Sequence, residues 1–214
     1  HAEIAGPGFI NIKMSPGFFL ERLRNAVKLG EDFGKSDSGK GTKVLIEFVS
    51  ANPTGPLHVG HGRGAAVGDA LARILKKAGY DLSTEYYVND VGNQMNFLGR
   101  STWLRYRELM GETIEFPEDH YQGDYIKEIA REIIDNNGDE FLNKPEEDCM
   151  PFFRKSAKDS ILKGIEKDLS EFRVSFDNWF SEASLYENQS VEKAVDWLQE
   201  QGHIYEKDGA VWLK

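Results

Sequence analysis

An apolar run at 44–49 stops at a turn containing Asn52, Pro53, Gly55 and Pro56, and two histidines three residues apart, His58 and His61, follow at once. No other stretch constrains the fold as tightly. The run reads as a nearly continuous apolar strand, the kind found in the buried middle of a parallel sheet. Residues 62–78 then read as a helix with Val67, Leu71, Ile74, Leu75 and Ala78 on one face and Gly79 just beyond. A second strand is expected at 82–88. Strand, helix and strand in that order form a βαβ unit, whose crossover is right-handed. Such sheets take ligands at the carboxyl ends of their strands, where the histidine turn falls.

The chemistry of that turn is specific. First-turn N–H groups of a helix lack intrahelical partners and point outward, so a strand, a tight turn and a helix N-terminus make an anion site. His58 and His61 add donors whose charge switches near neutral pH, which suits a triphosphate gaining charge in a transition state. Gly60 leaves space where a side chain would keep a flat base off the backbone. His58, Gly60, His61 and Gly62 are therefore candidate ATP contacts, with His58 and His61 the candidate catalytic pair. A structural zinc site is not expected, because the chain has five histidines and one cysteine, with no Cys/His pair at ligand spacing nearby.

Glu47 is the odd residue in the first strand. A carboxylate there is either ion-paired or at the end of the sheet, because burying it alone is costly. Asn89, Asp90, Gly92 and Gln94 fall where the second strand leaves the sheet. They read equally as a capped turn that shapes a pocket or as direct ligand contacts.

The segment Ala51-Asn52-Pro53-Thr54-Gly55-Pro56-Leu57-His58-Val59-Gly60-His61 resembles the HIGH element of class I aminoacyl-tRNA synthetases. With Glu47 to Pro53 before it, Val88 to Gln94 after the second strand, Tyr121 to Ile126, and Phe176 to Tyr186, the chain is similar to the arginyl-tRNA synthetase family. These blocks run in order through most of the sequence. The resemblance implies an α/β fold, the first half of a nucleotide-binding Rossmann-like (HUP-type) parallel sheet with a mainly helical insertion at about 96–175. It implies ATP with its Mg2+, L-arginine and tRNA(Arg) as ligands, and an arginine–tRNA ligase as the parent. Ser50, Asn52 and His61 would then meet the amino acid's α-amino and carboxylate groups. Glu182, with Glu47, would meet the guanidinium, a planar fork of donors that carboxylates match with two bonds. His120 and Tyr121 are candidates for stacking on a splayed base. The alternatives are another HxGH nucleotidyl transferase or ligase, and a non-catalytic binding piece. Carboxylates facing the side-chain pocket argue against a neutral amino acid.

Composition adds limits. With 26 Lys+Arg against 36 Asp+Glu, the 214 residues carry a net charge of −10, an unusual balance for a protein that neutralises phosphates over a broad surface. Charges interrupt every apolar segment, so no membrane span is expected. A single cysteine, Cys149, forms no intrachain disulfide, and a cytoplasmic setting with a monomeric parent is expected. The resemblance further implies that residues 1–40 are the end of a preceding N-terminal domain plus a linker, and 41–214 the start of the catalytic domain. That makes the chain an excised piece, expected to be inactive alone.

Two look-alikes fail. Residues 34–41 nearly match a P-loop, but Gly41 stands where Ser or Thr would hold magnesium, and a helix rather than a strand precedes it. Lys13-Met14-Ser15 is similar to the start of a KMSKS loop, yet Pro16 and Gly17 follow it. Ser15 with Pro16 instead reads as a helix start, ended at Gly30. A strand is expected at 9–13, and helices are expected around Tyr125 to Ile134 up to Gly138, around Phe152 to Leu169 with a break at Gly164, and around Val191 to Leu198 up to Gly202. A hairpin at 203–213 should turn on Asp208-Gly209.

Overall fold

A computed structural model describes residues 1–214. Two compact units emerge, one made of 1–44 with 73–82, the other of 45–72 with 83–214.

In the first unit, β1 (Ala2–Ala5) and β2 (Phe9–Ile12) form an antiparallel hairpin. Helix α1 (Pro16–Leu29) starts as expected: Ser15 Oγ accepts the N–H of Phe18 at 3.3 Å, Pro16 occupies the first turn, and Gly30 closes the helix at φ 55°. A short 3-10 turn (Gly30–Asp32) follows. The P-loop look-alike is a packed turn rather than a phosphate cradle. The N–H groups of Ser36 and Gly39 are taken by the carbonyls of Lys77 and Ala78, at 3.2 and 2.9 Å.

The second unit is α/β. A three-stranded sheet has the order β3–β4–β5, from β3 (Lys43–Glu47), β4 (Asp81–Val88) and β5 (Asn178–Ser181), with β4 and β5 parallel. Helix α2 (Val59–Lys77) links β3 to β4. The strand expected at 44–49 as a buried middle is therefore corrected twice. It ends at Glu47, because Val49 and Ser50 turn to positive φ (66° and 39°), and it lies at a sheet edge with Leu45 60% exposed. The middle strand is β4, whose alternating side chains Leu82, Thr84, Tyr86 and Val88 are buried.

Helix α2 begins three residues earlier than expected, and its buried face is a different one. Ala65, Gly68 and Ala72 are buried, while Val67, Leu71 and Ile74 are exposed. The cause is close packing. A Cβ on Gly68 would lie 2.2 Å from the Phe48 ring, so the small-residue stripe admits Phe48 where a larger side chain would hold it off.

Three helices form the insertion: α3 (Asn93–Leu109), α4 (Asp124–Asn137) and α5 (Glu146–Glu171). Gly138 ends α4 at φ 58°. Helix α5 runs through Gly164 without the expected break and contains Pro151 near its start. Leu98, Tyr106, Ile126, Phe153 and Ile165 are almost wholly buried, and the same cluster includes Tyr86 and Val88 of the sheet. One apolar core thus runs from the sheet into the insertion, which fixes the helices against the strand ends. Helix α6 (Ala183–Glu187), α7 (Ser190–Glu200) and a hairpin of β6 (Ile204–Lys207) and β7 (Ala210–Leu213) complete the chain. The hairpin turns on Asp208 and Gly209, at φ 54° and 75°. No helix is long and apolar enough to cross a membrane.

Candidate active site

The signature turn is built by bonds reaching it from three other elements. Val49 and Ser50 have left-handed backbone, which non-glycine residues hold only when their surroundings enforce it. Ser50 Oγ accepts the N–H of Tyr87 on β4 at 3.1 Å, and Tyr86 Oη donates to the Ala51 carbonyl at 3.0 Å. Burial pushes the Tyr86 phenol up to about 12, so it stays a donor at any ordinary pH. Tyr86 is itself fixed by stacking on Trp179, with ring centroids 4.3 Å apart. Tyr125 of α4 donates to the Thr54 carbonyl at 2.7 Å, and Asn52 Nδ2 donates to Gln94 Oε1 at 2.8 Å.

This clamp delivers the two histidines to the start of α2, where their rings stack at 3.8 Å. His61 Nδ1 accepts the backbone N–H of His58 at 3.2 Å, and His58 Nδ1 accepts the N–H of Gly60 at 3.1 Å. An Nδ1 that accepts a bond carries no proton, so both rings are set as Nε2–H tautomers with that donor left for a ligand. Partial burial, and then the neighbouring His58, lower the His61 pKa and keep its ring neutral.

Gly60 has a structural reason beside the one expected. A Cβ there would fall 2.9 Å from His58 Cε1, so the glycine makes room for the histidine ring. Gly62 faces open space, and its N–H is already bonded to the His58 carbonyl at 3.1 Å.

The other wall lies at the ends of β4 and β5. Asp90 departs most from a simple turn former, with its side chain only 1% exposed. Its Oδ2 accepts from Lys158 Nζ at 3.0 Å and Ser181 Oγ at 2.8 Å, and its Oδ1 from the Ala183 N–H at 2.9 Å. Burial alone would raise its pKa, but these bonds more than offset that, and the net shift is downward. Asp90 thereby grips the residues on both sides of Glu182, whose own N–H bonds the Val88 carbonyl at 3.0 Å.

Glu47 ends β3 and is exposed, which resolves its two readings in favour of the sheet end. Glu182 and Glu47 both act on Tyr87. Desolvation raises that phenol's pKa first, then the charge of Glu182 and a hydrogen bond to it, with smaller effects from Tyr186 and Glu47. Asn89, Gly92, Glu182 and Tyr186 line one open hollow of about 550 Å³. Gly92, at φ 82°, is also the residue on which the chain turns into α3.

His120 does not suit base stacking. Its side chain is 3% exposed, it bonds Asp119 at 2.8 Å, and its ring packs edge-on against Phe97. Tyr121 is half-buried, with its N–H on Ser101 Oγ at 2.9 Å. Sequence reasoning missed Tyr86, Tyr87 and Lys158, because each acts through a partner distant in the chain, and it placed Tyr125 in a family block without its bond to Thr54. No group of three His, Cys, Asp or Glu side chains converges as a metal site would require.

Comparison with known proteins identifies the family. The family described as tRNA synthetases class I (R), catalytic domain, matches residues 23–214. An arginine–tRNA ligase of Syntrophotalea carbinolica is 55% identical over 99% of this chain, and one from Bacillus subtilis is 48% identical over 99%. The chain spans 38% of the length of each. A crystal structure from Campylobacter jejuni, described as an arginyl-tRNA synthetase, superposes with a TM-score of 0.82 at 40% identity, covering 94% of this chain and 43% of that one. With that match along nine-tenths of its length and these relatives, the chain belongs to the family of class I tRNA synthetase (R) catalytic domains.

Proposed function

We propose that this chain is part of an arginine–tRNA ligase, which joins L-arginine to ATP as arginyl-adenylate and passes the arginyl group to the terminal ribose of tRNA(Arg). The observation that carries the reading is the stacked pair His58 and His61, each with Nδ1 occupied by backbone and Nε2–H free. Two neutral donors at a helix N-terminus suit the phosphates of ATP.

In the first step the arginine carboxylate attacks the α-phosphate, a P–O bond forms, and pyrophosphate leaves. The histidine donors stabilise charge developing on the phosphate oxygens, and much of the remaining catalysis is positioning. His58, Gly60, His61 and Gly62 hold ATP in this reading. Ser50 accepts a bond from Tyr87, so its own proton remains to donate, and with Asn52 and His61 it meets the amino acid's α-amino and carboxylate ends. Glu182 and Glu47 face the guanidinium, while Asn89, Asp90, Gly92 and Gln94 shape the pocket. Mg2+ carried by the ATP held at His58, Gly60, His61 and Gly62 would supply charge neutralisation on the phosphates.

Because the chain spans 38% of its relatives' length, the 214 residues alone should not charge tRNA. Pyrophosphate exchange measured on this chain and on the longer protein tests both statements. Robust turnover by the 214 residues would contradict the second, and no arginine-dependent exchange by the longer protein would contradict the first.

A further inference from the structure

Tyr87 of β4 is bonded to Glu182, yet it is not among the residues that line the hollow beside it, which are Asn89, Val91, Gly92, Glu182 and Tyr186. We propose that Tyr87 is a positioning residue that sets the distance between the two ends of the amino-acid site, and so selects a side chain of arginine's length.

Tyr87 is bonded in two directions. Its backbone N–H donates to Ser50 Oγ at 3.1 Å, and its phenol donates to the carboxylate of Glu182. The next residue of the strand completes the grip, because the Val88 carbonyl accepts the Glu182 N–H at 3.0 Å. Consecutive residues of β4 therefore hold Glu182 by its side chain and by its main chain. Strand β5 fixes the Tyr87 ring in turn: Tyr87 and Phe180 are partners in the parallel register, and their rings stack at 5.8 Å.

This matters because a glutamate side chain is flexible, and ordering it during binding costs free energy. A carboxylate already held by a hydrogen bond avoids that loss. It is also held at one distance from Ser50, through the frame of a single tyrosine. Glu47, exposed at the end of β3, has no such brace, and its charge acts on the Tyr87 phenol less than that of Glu182.

That the two ends belong to a site for arginine rests on the proposed function. The brace from Ser50 through Tyr87 to Glu182 rests only on the geometry.

The test is pyrophosphate exchange by the longer protein, with tRNA present, supported by arginine or by homoarginine, whose chain is one methylene longer. In the wild type that methylene should lower kcat/KM about tenfold or more. Tyr87→Phe keeps the ring and its stack and removes the hydroxyl. It should lower kcat/KM for arginine roughly tenfold, through KM, and change that for homoarginine less than about twofold. Discrimination then falls roughly tenfold, with the KM for ATP changed less than about twofold. Both substrates are measured on one preparation, so a tyrosine that only supports the fold would lower both alike. Unchanged discrimination in Tyr87→Phe, beside a wild type that uses arginine, would overturn the role of Tyr87 alone. No arginine-dependent exchange by the wild type would overturn the ligase reading, and this inference with it.

Discussion

Asp90 and Lys158, which are 68 residues apart in sequence, meet at 3.0 Å and tie helix α5 to the strand ends beside Glu182. An Asn at 90 keeps the size but loses the charge, and it faces Lys158 with a dipole. Breaking a buried pair typically costs 3–5 kcal/mol, and because Lys158 is 27% exposed, Asp90→Asn should cost less, ~1–3 kcal/mol. Urea denaturation of the two proteins checks this. Equal midpoints would mean that the pair contributes nothing.

The two shifted groups predict opposite ends of an acid titration. The folded-state pKa of Asp90 is below its usual 3.8, so its stabilisation is full above that value and is lost as pH falls through the folded pKa. The His61 pKa is below its usual 6.5, so the folded state holds fewer protons than the unfolded state as pH drops below 6.5. Stability from His61 is therefore full above 6.5 and declines below it. Replacing His61 by Gln should flatten the stability profile just below pH 6.5 and leave the more acidic limb to the carboxylates held below their usual range, Asp90 among them. An unchanged slope below 6.5 would contradict the neutral-ring assignment.

Gly60→Ala should disturb the site and spare the fold. The new methyl meets the exposed His58 ring at 2.9 Å, and the ring can swing away at little cost in stability. Doing so breaks its bond with the Gly60 N–H. The expected result is a near-unchanged melting temperature, altered His58 resonances in NMR spectra, and slower adenylate formation by the longer protein. Unaltered His58 resonances would show that the methyl is accommodated without moving the ring.

The hydroxyl of Tyr125 bonds the Thr54 carbonyl at 2.7 Å, and its ring lies against Gly55. Tyr125→Phe removes one hydrogen bond and keeps the packing, so the loss should be ~1 kcal/mol. Because that bond joins α4 to the signature turn, adenylate formation in the longer protein should fall as well. A stability loss with unchanged kinetics would restrict Tyr125 to holding the fold.

Local chemistry was readable from sequence, and long-range chemistry was not. Ser15 with Pro16, Gly138 and Asp208-Gly209 each mark an element boundary through their own backbone preferences, and the structure has a cap, a stop and a turn at those positions. Strand β5 escaped notice because its four residues show no clear alternation and pair only with β4, about ninety residues earlier. The face of α2 was misjudged because hydrophobic periodicity picks out Val67, Leu71 and Ile74, whereas close packing selects Gly68 beneath Phe48. His58, His61 and Glu47 could be singled out by residue type and neighbourhood, and Glu182 only through the resemblance of its block to a known family. Asp90 stood out only as a turn residue; its bond to Lys158, and the role of Tyr86 in holding the signature turn, become visible only when the elements are side by side.

The central claim is that the hollow beside Glu182 recognises a guanidinium. Arginine-dependent pyrophosphate exchange by the longer protein, with tRNA present, measures it directly in the wild type and in Glu182→Gln. Arginine should support exchange and citrulline, whose urea is neutral, should not. Glu182→Gln should weaken the use of arginine by ~2–4 kcal/mol in kcat/KM, the range for losing one charge of a desolvated pair, with the KM for ATP little changed. Exchange supported equally by citrulline, or a Glu182→Gln protein with wild-type kcat/KM for arginine, would contradict the account.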